Sequence, residues 1–248
     1  MKVFIIKRGR LGLLLLGMMT GLGFWFAHFP QFQTVFTPLK KEAPIVDPRV
    51  PNQPLQNKNI VIGIDPGHGG IDSGTKWGNM FEKDLNLKFS QKLREGLKKK
   101  GYRVVLTRNQ DLLLTPLAHY SNKTRPYKLD EFQRRIQKLK AAKASVIVCI
   151  HANWHKLAYH RGPVAYYSSL SPVSQKIARH VQKHLNQIQP FRKLPRPSKY
   201  YLLEKAQVPA ILIELGFFSN WEDRKLLQDE AYLEQLKFAI IGGLEATL

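Results

Sequence analysis

Cysteine is nearly absent from this 248-residue chain, with Cys149 the only one. That excludes any internal disulfide and any cysteine-rich zinc module, so metal chemistry must draw on histidine and carboxylates. Acid is scarce too: 18 Asp+Glu stand against 39 Lys+Arg, a net charge of +21. A field of that sign favours polyanionic surroundings, whether nucleic acid, anionic lipid or an anionic wall polymer. Neither an H-E-x-x-H helix nor an H-x-x-E pair occurs, so the common zinc peptidase signatures are missing. Internal repeats are missing as well. With 44% hydrophobic and 23% charged residues, the composition excludes a disordered or fibrous chain.

What is present begins with a basic cluster, Lys2, Lys7, Arg8 and Arg10, followed by 17 uncharged residues from Leu11 to Ala27. No small-x-small cleavage site follows, because Phe24, Trp25, Phe26, His28 and Phe29 are bulky. Residues 1–29 therefore read as a basic N-terminus plus an uncleaved signal anchor. The N-terminus is then cytoplasmic, and the rest is held outside the cell membrane. Cleavage of a signal peptide, giving a secreted protein, is the alternative. The exported part keeps 35 cations against 18 acids, or +17. Export makes nucleic acid a poor partner and an anionic cell-wall polymer a good one. Residues 30–58 hold Pro30, Pro38, Pro44, Pro48, Pro51 and Pro54 with little apolar periodicity, which predicts an extended tether. The folded domain is expected over 59–248.

Within it, strand and helix patterns alternate. Ile60–Ile64, Tyr102–Thr107, Ser145–Ile150, Val164–Tyr167, Tyr200–Leu203 and Ala210–Ile213 read as strands. Helical stripes run through Leu85, Phe89, Leu93 and Leu97, through Phe132, Ile136 and Leu139, through Val173 to Ile188, and through Tyr232 to Leu244. This alternation predicts an α/β three-layer sandwich, a mostly parallel central sheet with helices on both faces. Leu112–Lys128, with Pro116 and Pro126, reads as a surface insertion.

In such sheets, ligands sit outside the carboxyl ends of the strands. Three segments place ionisable residues there: Asp65-Pro66-Gly67-His68-Gly69-Gly70, His151-Ala152-Asn153 and Glu214-Leu215-Gly216. Glu82 opens the first helix, 14 residues beyond His68. Each has a plainer reading alone: a hydrogen-bonded loop histidine, a carboxylate complementing a helix dipole, a partner for a lysine. Together, two histidines and one glutamate match a catalytic zinc site that keeps a fourth position open. His180 and His184, four apart on a helix, read as a solvated face.

Residues 60–246 resemble the zinc-dependent N-acetylmuramoyl-L-alanine amidases through the blocks IVIGIDPGHGGIDSG, FEKDLNLKFSQKL, VVLTRNQD, VIVCIHAN and VPAILIELGFFSNWEDRKLL. The resemblance implies that His68, Glu82 and His151 are the ligands of one Zn2+ per chain and that Glu214 is the catalytic glutamate. Its implied substrate is peptidoglycan, cut between the muramic acid lactyl group and L-alanine. Cys149 replaces the serine usual two residues before the second histidine, and its place inside a strand suggests an inert packed thiol. The Leu112–Lys128 insertion, the single anchor and the lack of wall-binding repeats resemble the sporulation-associated, germination-specific branch, which acts on spore cortex. A general vegetative amidase, a non-catalytic wall-binding protein and a zinc peptidase cutting the stem are the competing readings. Asp65 keeps two readings, a turn residue before Pro66 or a carboxylate that holds an imidazole tautomer. Asn153 is likewise either a turn former or a donor to substrate.

Overall fold

A computed structural model describes residues 59–116 and 126–248. The expected anchor (1–29), the tether (30–58) and the middle of the insertion (117–125) lie outside the described residues. Among the described residues, no helix is long and apolar enough to cross a membrane.

The elements follow the order β1 (Val61–Pro66), β2 (Lys76–Trp77), β3 (Met80–Phe81), α1 (Glu82–Lys99), β4 (Arg103–Leu106), α2 (Pro126–Ala141), β5 (Val146–Asn153) and β6 (Val164–Tyr167). They continue with α3 (Pro172–Leu185), β7 (Arg196–Pro197), α4 (Tyr201–Lys205), β8 (Ala210–Phe217), α5 (Trp221–Leu226) and α6 (Glu230–Glu245). The central sheet has the order β4-β1-β5-β8-β6-β7. Every pairing in it is parallel except β6 with β8.

Alternate side chains of the buried strands divide between two apolar layers, as period-two geometry requires. Ile62, Ile64, Val148, Ile150, Ile211 and Ile213 pack with α1, α3 and α6. Ile147, Cys149 and Leu212 pack on the other face with Leu139 of α2 and with Leu202 and Leu203 of α4. The three-layer sandwich expected from the alternation is the fold observed. Cys149 is free and buried, and burial pushes its thiol well above the usual range, so it is the inert core residue expected.

Three expectations are corrected. Tyr200–Leu203 is not a strand: the sheet edge is taken by Arg196 and Pro197, while Leu202 and Leu203 turn inward from α4. The tyrosines suggested strand, but Leu-Leu-Glu-Lys favours helix, and burial of adjacent leucines against α2 decides the matter. The insertion ends earlier than Lys128, because Pro126 starts α2 in the first-turn position that proline tolerates. His180 and His184 do not form a solvated face: both are half-buried. His180 Nδ1 lies 2.6 Å from Thr247 Oγ1, and the His184 ring lies over Gly242 of α6.

Candidate metal centre

The carboxyl ends of β1 and β5 and the start of α1 converge on one point. At the first, the chain leaves β1 through Gly67 and reaches His68 with φ 62, a left-handed conformation that costs a non-glycine residue energy. Two buried arginines hold this turn from inside. Arg108 Nε donates to Pro66 O (3.0 Å) and its Nη2 to Gly67 O (3.0 Å). Arg135 Nη1 donates to Pro66 O and its Nη2 to His68 O, both at 2.7 Å. Arg108 is 1% exposed and Arg135 2%, so both guanidinium groups act in a low-dielectric setting.

At the second point, the hairpin of β2 and β3 delivers α1. Glu82 N donates to Thr75 O and Lys83 N to Ser73 O, so loop carbonyls occupy the helix start where a side-chain cap would sit. Glu82 is 3% exposed. Its Oε2 accepts from Thr75 N (2.8 Å) and its Oε1 from Ala152 N (3.1 Å). A carboxylate that only complemented the helix dipole would not need such burial.

At the third point, β5 ends in a register shift between His151 and Asn153, which turns His151 toward the same centre. Glu82 Oε1 lies 3.1 Å from His68 Nε2 and 3.0 Å from His151 Nδ1. Each of the three residues offers one ligand atom, and these atoms lie within 4.8 Å of one another. Room for the rings is made by glycine. A Cβ on Gly67 would stand 2.2 Å from the His151 ring, and one on Gly74 would stand 2.6 Å from Glu82 Oε2 and 2.7 Å from the His68 ring. None of these three distances is one that a Cβ can adopt without a shift of its neighbours. The donor set of two imidazoles and a carboxylate, with space cleared around it, fits a zinc ion.

The site's electrostatics follow from burial and close pairing. Burial favours the uncharged His68, but the carboxylates of Asp72 and Glu82 outweigh it and raise the imidazole to about 9. Burial likewise opposes charge on Glu82, yet the two imidazoles hold it far below the usual carboxylate range. Glu214 behaves oppositely. It stands on β8 in register with His151 and is 6% exposed. Its buried Oε2 has no hydrogen-bond partner among the described residues. Burial, then repulsion from Glu82, pushes it up to about 8, with His68 offsetting only part.

Asp65 is buried behind the turn. Its Oδ1 accepts from Thr107 Oγ1 (2.5 Å) and Arg135 Nη1 (3.0 Å), so its carboxylate serves the arginine clamp. The carboxylate beside the His68 ring is Asp72, with Oδ2 3.0 Å from Nδ1 although not in good hydrogen-bond alignment. Asp72 was not singled out from the sequence. Its signal was a carboxylate four residues beyond His68 in the same glycine-rich loop. Arg135 also had a signal, a charge lying among Phe132, Ile136 and Leu139 on an apolar stripe. Arg108 had none among so many cations. Asn153 Oδ1 accepts from Trp154 N at 2.7 Å, a contact local to the end of β5.

A family model described as N-acetylmuramoyl-L-alanine amidase matches residues 62–246. The germination-specific N-acetylmuramoyl-L-alanine amidase of Bacillus subtilis is 30% identical over 193 residues, 77% of this chain and 80% of its own. LytC, an N-acetylmuramoyl-L-alanine amidase of the same organism, is 28% identical over 207 residues, 81% of this chain but 38% of its own. Among solved structures, the CwlD amidase of Clostridioides difficile, determined in complex with the GerS lipoprotein, is similar with a TM-score of 0.70. That likeness holds at 32% identity over 76% of this chain and 98% of CwlD. The matched segment takes in the central sheet and the loops that carry His68, Glu82, His151 and Glu214 alike, and the chain is a member of the N-acetylmuramoyl-L-alanine amidase family.

Proposed function

We propose that His68, Glu82 and His151 hold one zinc ion and that Glu214 carries the proton in hydrolysis of the muramoyl–L-alanine amide. That the chain is an N-acetylmuramoyl-L-alanine amidase acting on peptidoglycan follows from its family. The observation behind the residue roles is the contrast between two buried glutamates. Glu82 is saturated by imidazole and backbone donors, whereas Glu214, next to it, has an unpartnered oxygen.

Bound at the triad, zinc supplies Lewis acidity and makes water acidic near neutral pH. Glu214 takes the proton of the attacking water and returns it to the departing alanine amine. Burial holds the Glu214 carboxyl up at about 8, and a positive charge at the triad would lower it, as an opposite charge beside a carboxylate does. Asp72 steadies the His68 ring from its far side. The arginine clamp keeps His68 in place without help from the metal.

The substrate layer we infer is spore cortex, supported by likeness to the germination-specific B. subtilis enzyme and to CwlD. The same reading keeps residues 1–29 as an anchor and 30–58 as a tether, with the catalytic domain outside the membrane. A 29-residue tether reaches about 100 Å at about 3.3 Å per residue, which restricts the enzyme to membrane-proximal wall. The decisive experiment digests purified cortex and vegetative peptidoglycan and identifies the new ends by mass spectrometry. Free L-alanine amino termini on cortex support the reading. Cleavage inside the stem supports a zinc peptidase, and preference for vegetative wall supports a general amidase. Full-length protein in the membrane fraction supports the anchor, and a soluble species lacking the first thirty or so residues supports a cleaved signal.

A further inference from the structure

All three tryptophans among the described residues are more than half exposed: Trp77 at 51%, Trp154 at 54% and Trp221 at 64%. Tryptophan is on average a highly buried residue, so three exceptions in one domain call for a cause. Each lies within seven residues of Glu82, His151 or Glu214. Trp77 and Trp221 also line the same groove, a space of about 690 Å³ shared with Asn79, Arg224 and Gln228.

This groove is joined to the site through backbone. Thr75 N bonds the Glu82 carboxylate, and Trp77 is two residues farther along the same arm of the hairpin, pairing with Met80. At about 3.3 Å per residue, the indole is rooted about 7 Å from that contact. Gly78 makes the turn with φ 56, the first central position that a tight hairpin reserves for glycine. The hairpin is braced from across the groove. The Arg224 guanidinium sits 3.9 Å from the Trp77 ring centroid, and its Nη1 donates to Phe218 O at 2.7 Å. Phe218 follows β8, the strand that carries Glu214. The Trp77 indole is thus tied to both segments that flank the candidate chemistry, and Trp221 opens α5, the helix that carries Arg224.

Rigid indole surfaces beside amide and guanidinium donors match one ligand chemistry well. A pyranose ring presents a face of C–H bonds that packs on an aromatic plane, and a rim of hydroxyl and acetamido groups that hydrogen-bond. We propose that Trp77 and Trp221 form a sugar-binding subsite that holds the glycan strand of the substrate beside the reacting amide. The proposal rests on the amidase reading and deepens it: the enzyme selects muramoyl-peptides embedded in a strand over isolated ones.

The test separates binding from turnover. Glu214→Gln protein is titrated with peptide-free N-acetylglucosamine–N-acetylmuramic acid oligomers, read by tryptophan fluorescence. The same oligomers are then offered to Glu214→Gln proteins that also carry Trp77→Ala, Trp77→Phe or Trp221→Ala. Expected is saturable binding, weakened about tenfold by either alanine, which is about 1.4 kcal/mol, with Trp77→Phe intermediate. In otherwise wild-type enzyme, the ratio of kcat/KM on long strands to kcat/KM on a single disaccharide-peptide should fall by a similar factor. Absence of oligomer binding overturns the proposal, as does binding to free stem peptide instead, or an unchanged ratio in Trp221→Ala. The oligomer titration needs no turnover, so it stands even if the roles given to zinc and Glu214 fail.

Discussion

Glu214 and His151 face each other across two parallel strands, paired in register just before the shift between His151 and Asn153. One belongs to the saturated cluster around Glu82, and the other keeps an unpartnered oxygen a strand away. Sheet register alone therefore sets the spacing between the candidate ligand and the candidate proton carrier. Such spacing is hard to disturb without unfolding the centre of the domain.

The first prediction concerns the room left for the ligands. Gly67→Ala pushes a methyl group into the His151 ring, and Gly74→Ala pushes one into Glu82 and His68. Both variants should lose zinc by metal analysis and lose activity. Full occupancy in Gly67→Ala would show that the ring can move, and the ligand assignment would weaken with it.

A second prediction concerns Asp72. Its carboxylate steadies the His68 ring from outside the triad. Asp72→Ala should weaken zinc binding about 10–100-fold, as removal of a carboxylate behind a ligand typically does. Equal zinc affinity in a chelator competition would remove Asp72 from the site.

The third is a pH dependence of metal-free protein. Glu214 is raised from 4.5 to about 8 by burial. Between those values the folded chain retains a proton that the unfolded chain has released, so stability falls as pH rises through this window. The loss accrues at up to about 1.4 kcal/mol per pH unit. Glu214→Gln cannot ionise, so its melting temperature should exceed that of the parent above pH 8 and approach it near pH 4. Parallel melting curves across the whole range would refute the burial argument.

A fourth tests the arginine clamp. Arg135→Met takes the arginine from buried Asp65, frees the His68 carbonyl and leaves Pro66 O to Arg108 alone. Breaking a buried pair from one side typically costs about 3–5 kcal/mol, so denaturant midpoints should drop sharply. Pairing it with Asp65→Asn should recover part of that loss. No recovery would mean that the carbonyl bonds, not the ion pair, carry the cost.

Much of the fold was legible because its strands are short unbroken apolar runs and its main helices repeat every three to four residues. His68, His151 and Glu214 were legible because strand ends gather on one edge of a parallel sheet, and Glu82 because it opens the first helix. The hairpin of β2 and β3 was not, since two-residue strands leave no periodicity to read. Nor was the conversion of Tyr201–Lys205 to helix, which depends on where the α2 face lies. Arg108 and Arg135 escaped for a different reason. A cation buried against backbone carbonyls looks the same in sequence as one in solvent, and only three-dimensional crowding separates them.

Those two arginines also bear on when an ion would be taken up. In small zinc modules the ion organises the chain, and removing it unfolds the domain. Here guanidinium groups already anchor the carbonyls of Pro66, Gly67 and His68, and backbone donors already hold Glu82. With zinc held at the triad as proposed, the polypeptide would complete its folding first and receive its ion afterwards. Starvation for zinc would then leave an intact, dormant enzyme awaiting resupply, in place of a collapsed chain exposed to proteases.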